Sequence, residues 1–149
     1  MEEQKQRDPR MHSAEHILNQ TMVRMFNRGR SFSAHVEKKK SKCDYHFDRN
    51  LTDDEAKEIE KRVNDVIESD MIVKEEFMDR DEAAKHFKLE RLPDGVGDRI
   101  RIIRIGEYDA CPCSGIHVKS TKEIGAFIFV SSSYDNGVLR LRFKLDQKE

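Results

Sequence analysis

Residues Gly125 to Phe143 read Gly-Ala-Phe-Ile-Phe-Val-Ser-Ser-Ser-Tyr-Asp-Asn-Gly-Val-Leu-Arg-Leu-Arg-Phe. Apolar and polar residues alternate on the C-terminal side of Asp135-Asn136-Gly137, and aromatic and β-branched residues dominate its N-terminal side. Such runs are typical of strands, and an Asn-Gly pair favours the tight turn that joins two antiparallel strands. The segment therefore predicts a hairpin of two strands, Gly125 to Ser133 and Val138 to Phe143, and with it an antiparallel sheet.

Two helices are predicted ahead of this hairpin. Apolar residues recur at helical spacing from about Pro9 to Arg28, and Gly29 is expected to end the first helix. Thr52-Asp-Asp-Glu55 has the pattern of a capping box and stands directly before a second apolar stripe, which predicts a helix beginning there.

The remaining segments predict strands, a short helix and a loop. Together with the two long helices, hairpin-connected strands favour an α+β fold in which helices pack on a mostly antiparallel sheet. The further predicted elements are a hairpin of residues 31–36 and 43–47 across Lys38 to Lys42, a strand from Met71 to Met78, a short helix capped by Asp79 and running through His86, a loop at Pro93-Asp94-Gly95 and Gly97, and a strand from Ile100 toward Cys113.

Composition limits the class of protein. A chain of 149 residues is long enough for one hydrophobic core, so we expect a single domain over residues 1–149. The charged N-terminal residues do not resemble a signal peptide, and no apolar run is long enough to cross a bilayer. Three cysteines, an odd number, favour free thiols in a reducing compartment. We therefore expect a cytoplasmic protein with no membrane partner.

Two pairs of metal-binding residue types share one spacing. His12 and His16 are four residues apart, as are Cys113 and His117. On a helix, positions four apart lie on one face, so the first pair can point at one ion. Histidine nitrogen and cysteine sulfur are ordinary zinc ligands, and the four residues predict one zinc site. Ser13 follows the first histidine where metalloproteases carry a glutamate, so the motif does not indicate a protease.

Charge limits how the chain can bind nucleic acid. The formal net charge is −1, which excludes binding by bulk positive charge and leaves only local basic patches. Each patch is equally well explained as a solvated surface. The candidates are Lys38, Lys39, Lys40 and Lys42, then Arg99, Arg101 and Arg104, and finally Arg140, Arg142 and Lys144.

Several motifs, in the same order along the chain, resemble the editing domains of alanyl-tRNA synthetases and their short, free-standing relatives called AlaX. The threonyl-tRNA synthetase editing domain is a more distant relative. The motifs are His-Ser-Ala-Glu-His-Ile-Leu from His12, Cys-Asp-Tyr-His-Phe from Cys43, Thr-Asp-Asp-Glu from Thr52, Ile-Glu-Lys-Arg-Val-Asn from Ile59, Asp-Glu-Ala-Ala from Asp81, Cys-Ser-Gly-Ile-His-Val from Cys113 and Lys-Glu-Ile-Gly from Lys122.

The resemblance implies a hydrolase that acts in trans on mischarged tRNA(Ala) and removes serine, or else glycine. It places His12, His16, Cys113 and His117 on the family's zinc positions and implies that the same four side chains form the catalytic centre. Ser31 and Ser33 fall on the strand where relatives contact the substrate's side chain. The expected partner is the acceptor end of tRNA, with phosphates bound by Lys38 to Lys42 or by the strand of Arg140, and not DNA.

The sequence leaves open two alternatives to hydrolysis of mischarged tRNA(Ala), and it leaves the role of zinc open. Relatives commonly carry Cys-Gly-Gly-Thr-His where this chain has Ser114 and Ile116, and the threonyl relatives carry aspartate at the position of Cys111. The domain is therefore compatible with hydrolysis of seryl-tRNA(Thr), or with a non-catalytic zinc module that binds tRNA or a synthetase. Four protein ligands usually form a closed, structural zinc site, whereas catalytic zinc keeps one position for water. The zinc can therefore be structural, substrate-positioning or, if one ligand is displaced, catalytic.

Overall fold

The structure is a computed structural model that describes residues 8–37, 39–89 and 97–146. The loop predicted at Pro93-Asp94-Gly95 and the position of Lys38 lie outside these residues. Helices are α1 (Pro9–Phe26), α2 (Asp53–Glu68) and α3 (Arg80–His86), with a short 3-10 helix at Thr121–Ile124; strands are β1 (Ser33–His35), β2 (Ser41–His46), β3 (Val73–Asp79), β4 (Arg99–Ile105), β5 (Asp109–Pro112), β6 (Phe127–Asp135) and β7 (Val138–Leu145).

The predicted C-terminal hairpin is confirmed and forms half of a four-stranded sheet. Strands β6 and β7 pair antiparallel up to the Asp135 and Val138 partners, and the strand order is β1-β2-β7-β6. Both turn residues, Asn136 and Gly137, have positive φ, at 50° and 87°. Asparagine and glycine tolerate this backbone better than other residues, which explains why the turn forms here.

A second sheet contains β3, β4 and β5 in that order, with antiparallel pairing throughout. The α+β class and its antiparallel strands are confirmed. The prediction of a single strand from Ile100 toward Cys113 was wrong in one respect. A turn divides this segment into two strands, β4 and β5. Gly106 has a φ of 51° in that turn, and an added Cβ there would meet the Met71 side chain.

Helix α1 packs with α2 in the main core. Asp8 caps α1, accepting a hydrogen bond of 2.8 Å from the backbone nitrogen of Arg10. The helix ends at Phe26, with Asn27 in a left-handed conformation, so the predicted end at Gly29 was too late. Fully buried core side chains from both helices and from the first sheet include Met11, Ile17, Leu18, Tyr45, Ile59, Val63, Leu139, Leu141 and Phe143.

Helices α2 and α3 differ in how they begin. The capping box predicted at Thr52 and Glu55 is present, with backbone-to-side-chain hydrogen bonds of 2.9 and 3.1 Å in the two directions. Asp79 occupies the cap position of α3, but its side chain makes no capping hydrogen bond, so that part of the prediction was wrong. Within the described residues, none of the helices has the length and apolar character needed to cross a membrane.

Candidate metal centre

The first half of the site lies on the buried side of α1. His12 and His16 are separated by one helical turn, and their ring centroids are 5.3 Å apart. His16 is 4% exposed, because Met11, Ile17 and Leu18 around it form the core. The apolar packing that fixes α1 therefore also fixes the direction of both imidazoles.

The second half comes from the loop that follows β5. Cys113 Sγ lies 3.5 Å from His12 Nε2 and 3.4 Å from His117 Nε2. The ring of His117 lies 4.4 Å from that of His12 and 4.5 Å from that of His16, centroid to centroid. One potential ligand atom from each of the four residues falls within 4.8 Å of the others. The structure thus brings together all four residues predicted from the two motifs.

Arg101 holds this loop against the second sheet. One guanidinium nitrogen, Nη1, donates to the backbone carbonyls of Cys113 at 2.9 Å and Gly115 at 2.8 Å. The backbone nitrogen of Cys113 donates in return to the Arg101 carbonyl at 3.2 Å. The Arg101 guanidinium also donates to Glu75 at 2.6 Å. Its hydrogen bonds therefore fix the conformation of the 113–115 loop.

Two side chains orient the histidines from behind. Ser13 Oγ lies 3.0 Å from His117 Nδ1 and accepts a hydrogen bond of 3.1 Å from the backbone nitrogen of Val118. Asp109 Oδ2 lies 3.6 Å from His16 Nδ1. Groups of this kind commonly fix the ring orientation of metal-binding histidines and leave the other nitrogen for the ion.

Asp109 is itself held in a buried ion pair. Its side chain is 0% exposed, and Arg30 donates to both carboxylate oxygens, at 2.7 and 3.2 Å. Gln20 donates a third hydrogen bond, at 2.9 Å. Although burial alone would raise the pKa of Asp109, His16 and Arg30 lower it well below its usual range. The carboxylate therefore stays ionised beside His16.

Protonation of the cluster follows from this arrangement. Burial would raise the pKa of Cys113, but hydrogen bonds with His117, His12 and His16 lower it to about 3. Burial lowers the pKa of His117 to about 4. Burial also disfavours protonated His16, yet Asp109 and Cys113 raise its pKa to about 9. Near neutral pH the cluster combines a thiolate, a neutral imidazole and a proton on His16 that a metal ion would displace.

The donor set suits a metal ion and is compatible with zinc. A tetrahedral zinc ion, with bonds of about 2.0–2.1 Å to nitrogen and about 2.3 Å to sulfur, places its ligand atoms roughly 3.3–3.6 Å apart. The separations of Cys113 Sγ from His12 Nε2 and His117 Nε2, 3.5 and 3.4 Å, match this spacing, and all four ligand atoms lie within 4.8 Å of one another. Three imidazoles and one thiolate are also the borderline and soft ligands that zinc accepts.

The two predicted substrate serines lie in different surroundings. Ser31 is buried, and its backbone nitrogen donates to Asn19 Oδ1 at 3.0 Å. Asn19 also accepts from the hydroxyl of Tyr45 at 2.7 Å and donates to Glu15 at 3.1 Å, one turn from His12. Ser33 is exposed on β1, whose next residue, Ala34, packs on the core. Strand alternation therefore directs Ser33 away from the core.

Cys111 does not belong to the four-residue cluster. It is half-buried, its thiol donates to the backbone carbonyl of Pro112 at 3.3 Å, and burial raises its pKa to about 12. Its position outside the cluster gives Cys111 the character of a small, half-buried residue rather than of a fifth ligand. Cys43 is fully buried in β2.

Comparison with known proteins identifies the family. The model of the threonyl and alanyl tRNA synthetase second additional domain matches residues 100–141, which include Cys113 and His117. The alanine–tRNA ligase of Methanopyrus kandleri is 32% identical over 145 residues, or 95% of this chain. That of Fervidobacterium nodosum is 34% identical over 89% of the chain, and that of Methanococcus maripaludis 32% over 90%. The chain belongs to the alanyl-tRNA synthetase editing-domain-like family. It spans 16% of the length of each of these three relatives.

Sequence reasoning overlooked part of this site. Ser13 lies within the first motif, between the two histidines, and was considered only as a departure from protease motifs. Asp109 lies four residues before Cys113 in a stretch with no recognised motif. Arg101 was grouped with Arg99 and Arg104 as a possible RNA contact. A pattern of ligand residues carries no information on which distant side chains support them, so only the packed structure reveals these roles.

Gly115→Ala is expected to weaken metal binding by about 10–100-fold, the range found when a supporting contact is lost. A Cβ at Gly115 would overlap the ring of His12, which would have to move away from Cys113. Competition with a chromophoric zinc chelator measures the change. Gly97→Ala is the matched control, because a Cβ there meets no atom of the described residues within 4 Å. Equal zinc affinity of both variants would contradict the close contact between Gly115 and His12.

Proposed function

We propose that this domain is an aminoacyl-tRNA deacylase that removes serine, or glycine, from mischarged tRNA(Ala). The observation that carries the proposal is the cluster of His12, His16, Cys113 and His117 in a chain that aligns over 95% of its length with an alanine–tRNA ligase. Those relatives are named for joining alanine to tRNA. A tRNA mischarged in that reaction would be the substrate of an editing deacylase. We further propose that the domain acts in the cytoplasm.

The four clustered residues are proposed to hold zinc. When bound, zinc would supply positive charge that favours the thiolate of Cys113 and polarises nearby substrate oxygens. Ser13 and Asp109 then serve to orient His117 and His16, as their contacts with the outer nitrogens indicate. In this proposal, α1 and the 113–117 loop provide the ligands. Ser13 and Asp109 keep the ligand side chains in position.

Hydrolysis of the ester places modest demands on the protein. Water adds to the ester carbonyl carbon, the ribose oxygen leaves with a proton, and free serine and tRNA are released. Because the aminoacyl ester is already activated, holding the carbonyl and a water in contact supplies much of the acceleration. We assign the catalytic centre to His12, His16, Cys113 and His117, which would position the ester carbonyl and the water, and we assign recognition of the amino acid's side chain to Ser31 and Ser33.

Seryl-tRNA(Ala) is expected to be hydrolysed at least about 100-fold faster than alanyl-tRNA(Ala), because a buried polar site rewards a hydroxyl that alanine lacks. The measurement is release of radiolabelled amino acid from each tRNA at equal enzyme concentration, with glycyl-tRNA(Ala) and seryl-tRNA(Thr) in parallel. Ser31→Ala combined with Ser33→Ala should reduce the preference for serine. Faster hydrolysis of seryl-tRNA(Thr) would transfer the function to the threonyl branch. Absence of turnover on all four substrates would refute the proposal and leave a binding module.

A further inference from the structure

A groove with positively charged walls lies at the β1–β2 hairpin, next to the first turn of α1. It has a volume of about 510 Å³ and is open to solvent. All seven residues that line it have polar or charged side chains. The lining residues are His35, Glu37, Lys39, Lys40, Ser41, Lys42 and Arg142.

The central feature of this groove is a pair of like charges on neighbouring strands. Lys42 on β2 stands directly opposite Arg142 on β7. Like charges at directly opposed positions destabilise a sheet, so this arrangement costs stability in the isolated protein. Within the described residues, neither side chain has a carboxylate within ion-pair distance. Arg142 instead donates to the hydroxyls of Ser131 at 3.2 Å and Ser133 at 3.4 Å.

The next pair along the same two strands has the opposite character. Arg140 stands opposite Asp44 and donates to both of its carboxylate oxygens, at 2.7 and 2.9 Å. The positive charges of Lys42 and Arg142 also lower the pKa of Asp44, but the hydrogen bond with Arg140 contributes most. One arginine of β7 is therefore neutralised and the other is not. Glu37 is the carboxylate that lines the groove, and it lies 3.1 Å from His35.

The groove adjoins the helix that carries the first two candidate ligands. Ser41 lines the groove, and its hydroxyl lies 3.5 Å from the sulfur of Met11 on α1. Met11 directly precedes His12, and adjacent Cα atoms are only about 3.8 Å apart. A polyanion in the groove would therefore lie next to the helical turn that carries His12.

We propose that this groove binds the sugar-phosphate backbone of the RNA whose 3′ end enters the metal centre, with Lys42 and Arg142 as its main phosphate contacts. The identity of the RNA rests on the proposed function. Arginine contacts phosphate through its planar fork and lysine as a point charge, and a phosphate between them would relieve their repulsion. Lys39 and Lys40 add further positive charge at the rim.

The test is binding of a labelled RNA duplex of acceptor-stem length with a single-stranded 3′ end, followed by fluorescence anisotropy between about 50 and 200 mM salt. The variant Lys42→Gln with Arg142→Gln should weaken binding by about 10-fold or more at low salt. It should also reduce the slope of log affinity against log salt by about 2, because each lost phosphate contact removes about 1. Its thermal midpoint should equal or exceed that of the native chain, because the like-charge repulsion is gone.

Two control variants separate the groove from general charge. Lys61→Gln with Arg62→Gln removes the same charge from α2, where both side chains form ion pairs with neighbours one turn away. Arg140→Gln with Asp44→Asn removes the neutralised ion pair next to the groove without changing the net charge. Both should bind RNA within about 2-fold of the native chain. If the Lys61 and Arg62 variant loses as much affinity as the groove variant, binding is nonspecific and the proposal is overturned.

Binding and hydrolysis are measured separately, so the two proposals can fail independently. RNA binding that depends on Lys42 and Arg142, without any turnover, would support the groove proposal and refute the deacylase proposal. If the groove variant hydrolyses aminoacyl-tRNA at subsaturating concentration as fast as the native chain, the groove proposal is overturned. A poly-glutamate chain of matched charge tests for an acidic protein partner. Groove-dependent binding of that chain, with no binding of RNA, would also overturn the proposal.

Discussion

Cys113→Ala is expected to lower zinc affinity by more than about 100-fold, beyond the loss caused by removing a supporting contact. The change deletes the only sulfur among the four clustered donors and leaves three imidazoles. It also removes the acceptor of the backbone hydrogen bond from Gly115, at 3.3 Å, so the loop loses a local constraint. Metal content after dialysis against a weak chelator gives the result, with about one ion per native chain expected.

His12→Ala should reduce metal content to a similar degree, because the two residues belong to different halves of the same cluster. Cys111→Ala is the matched control, since its thiol lies two residues from Cys113 but outside the cluster. This variant should keep a full complement of zinc. If both Cys113→Ala and His12→Ala keep one zinc per chain, the proposal of a single four-ligand site is wrong.

Asp109→Asn is expected to reduce the free energy of unfolding by about 3–5 kcal/mol, the usual cost of removing one partner of a buried ion pair. Asp109 is fully buried, and the side chain of Arg30 is only 28% exposed. Asparagine keeps the size of the side chain but leaves the guanidinium without its counter-charge. Urea unfolding of native and variant chains, each saturated with zinc and each stripped of it, measures the change.

The zinc-free comparison isolates the ion pair from the metal centre. His16 would also lose its carboxylate partner, so zinc affinity should fall by about 10–100-fold in addition. Asp48→Asn is the control, because it breaks another aspartate–arginine pair, with Arg28 at 3.0 Å, whose side chains are 65% and 45% exposed. Its unfolding midpoint should hardly change, since exposed pairs contribute little. Equal loss in both variants would contradict the structural importance of Asp109.

The acid dependence of Asp109 has a definite sign. Its pKa is lowered in the folded protein, so ionisation stabilises the fold above the pKa of an unfolded aspartate, about 3.9. This stability is lost as pH falls below that value. The native chain should therefore lose stability on acidification from pH 5 toward pH 3 more steeply than Asp109→Asn, because the asparagine has no proton to take up.

Local chemistry accounts for what the sequence determined by itself. The Asn136-Gly137 turn, the Thr52 capping box and the α1 stripe depend on residues within one turn of each other, and all three are present in the structure. The fold class followed from these elements. The spacing of His12 and His16 on one helix face likewise required no knowledge of the rest of the chain.

Tertiary structure decided the contacts between distant residues. Asp109 meets Arg30, 79 residues earlier in the chain, and Asp44 meets Arg140, 96 residues later. Strand register determines that Arg140 is neutralised while Arg142 faces Lys42, although the two arginines look alike in the sequence. Burial and pairing depend on which strands become neighbours, and a one-residue shift in register would exchange the two faces. The sequence therefore identifies the candidate ligands, whereas the folded chain determines which residues support them.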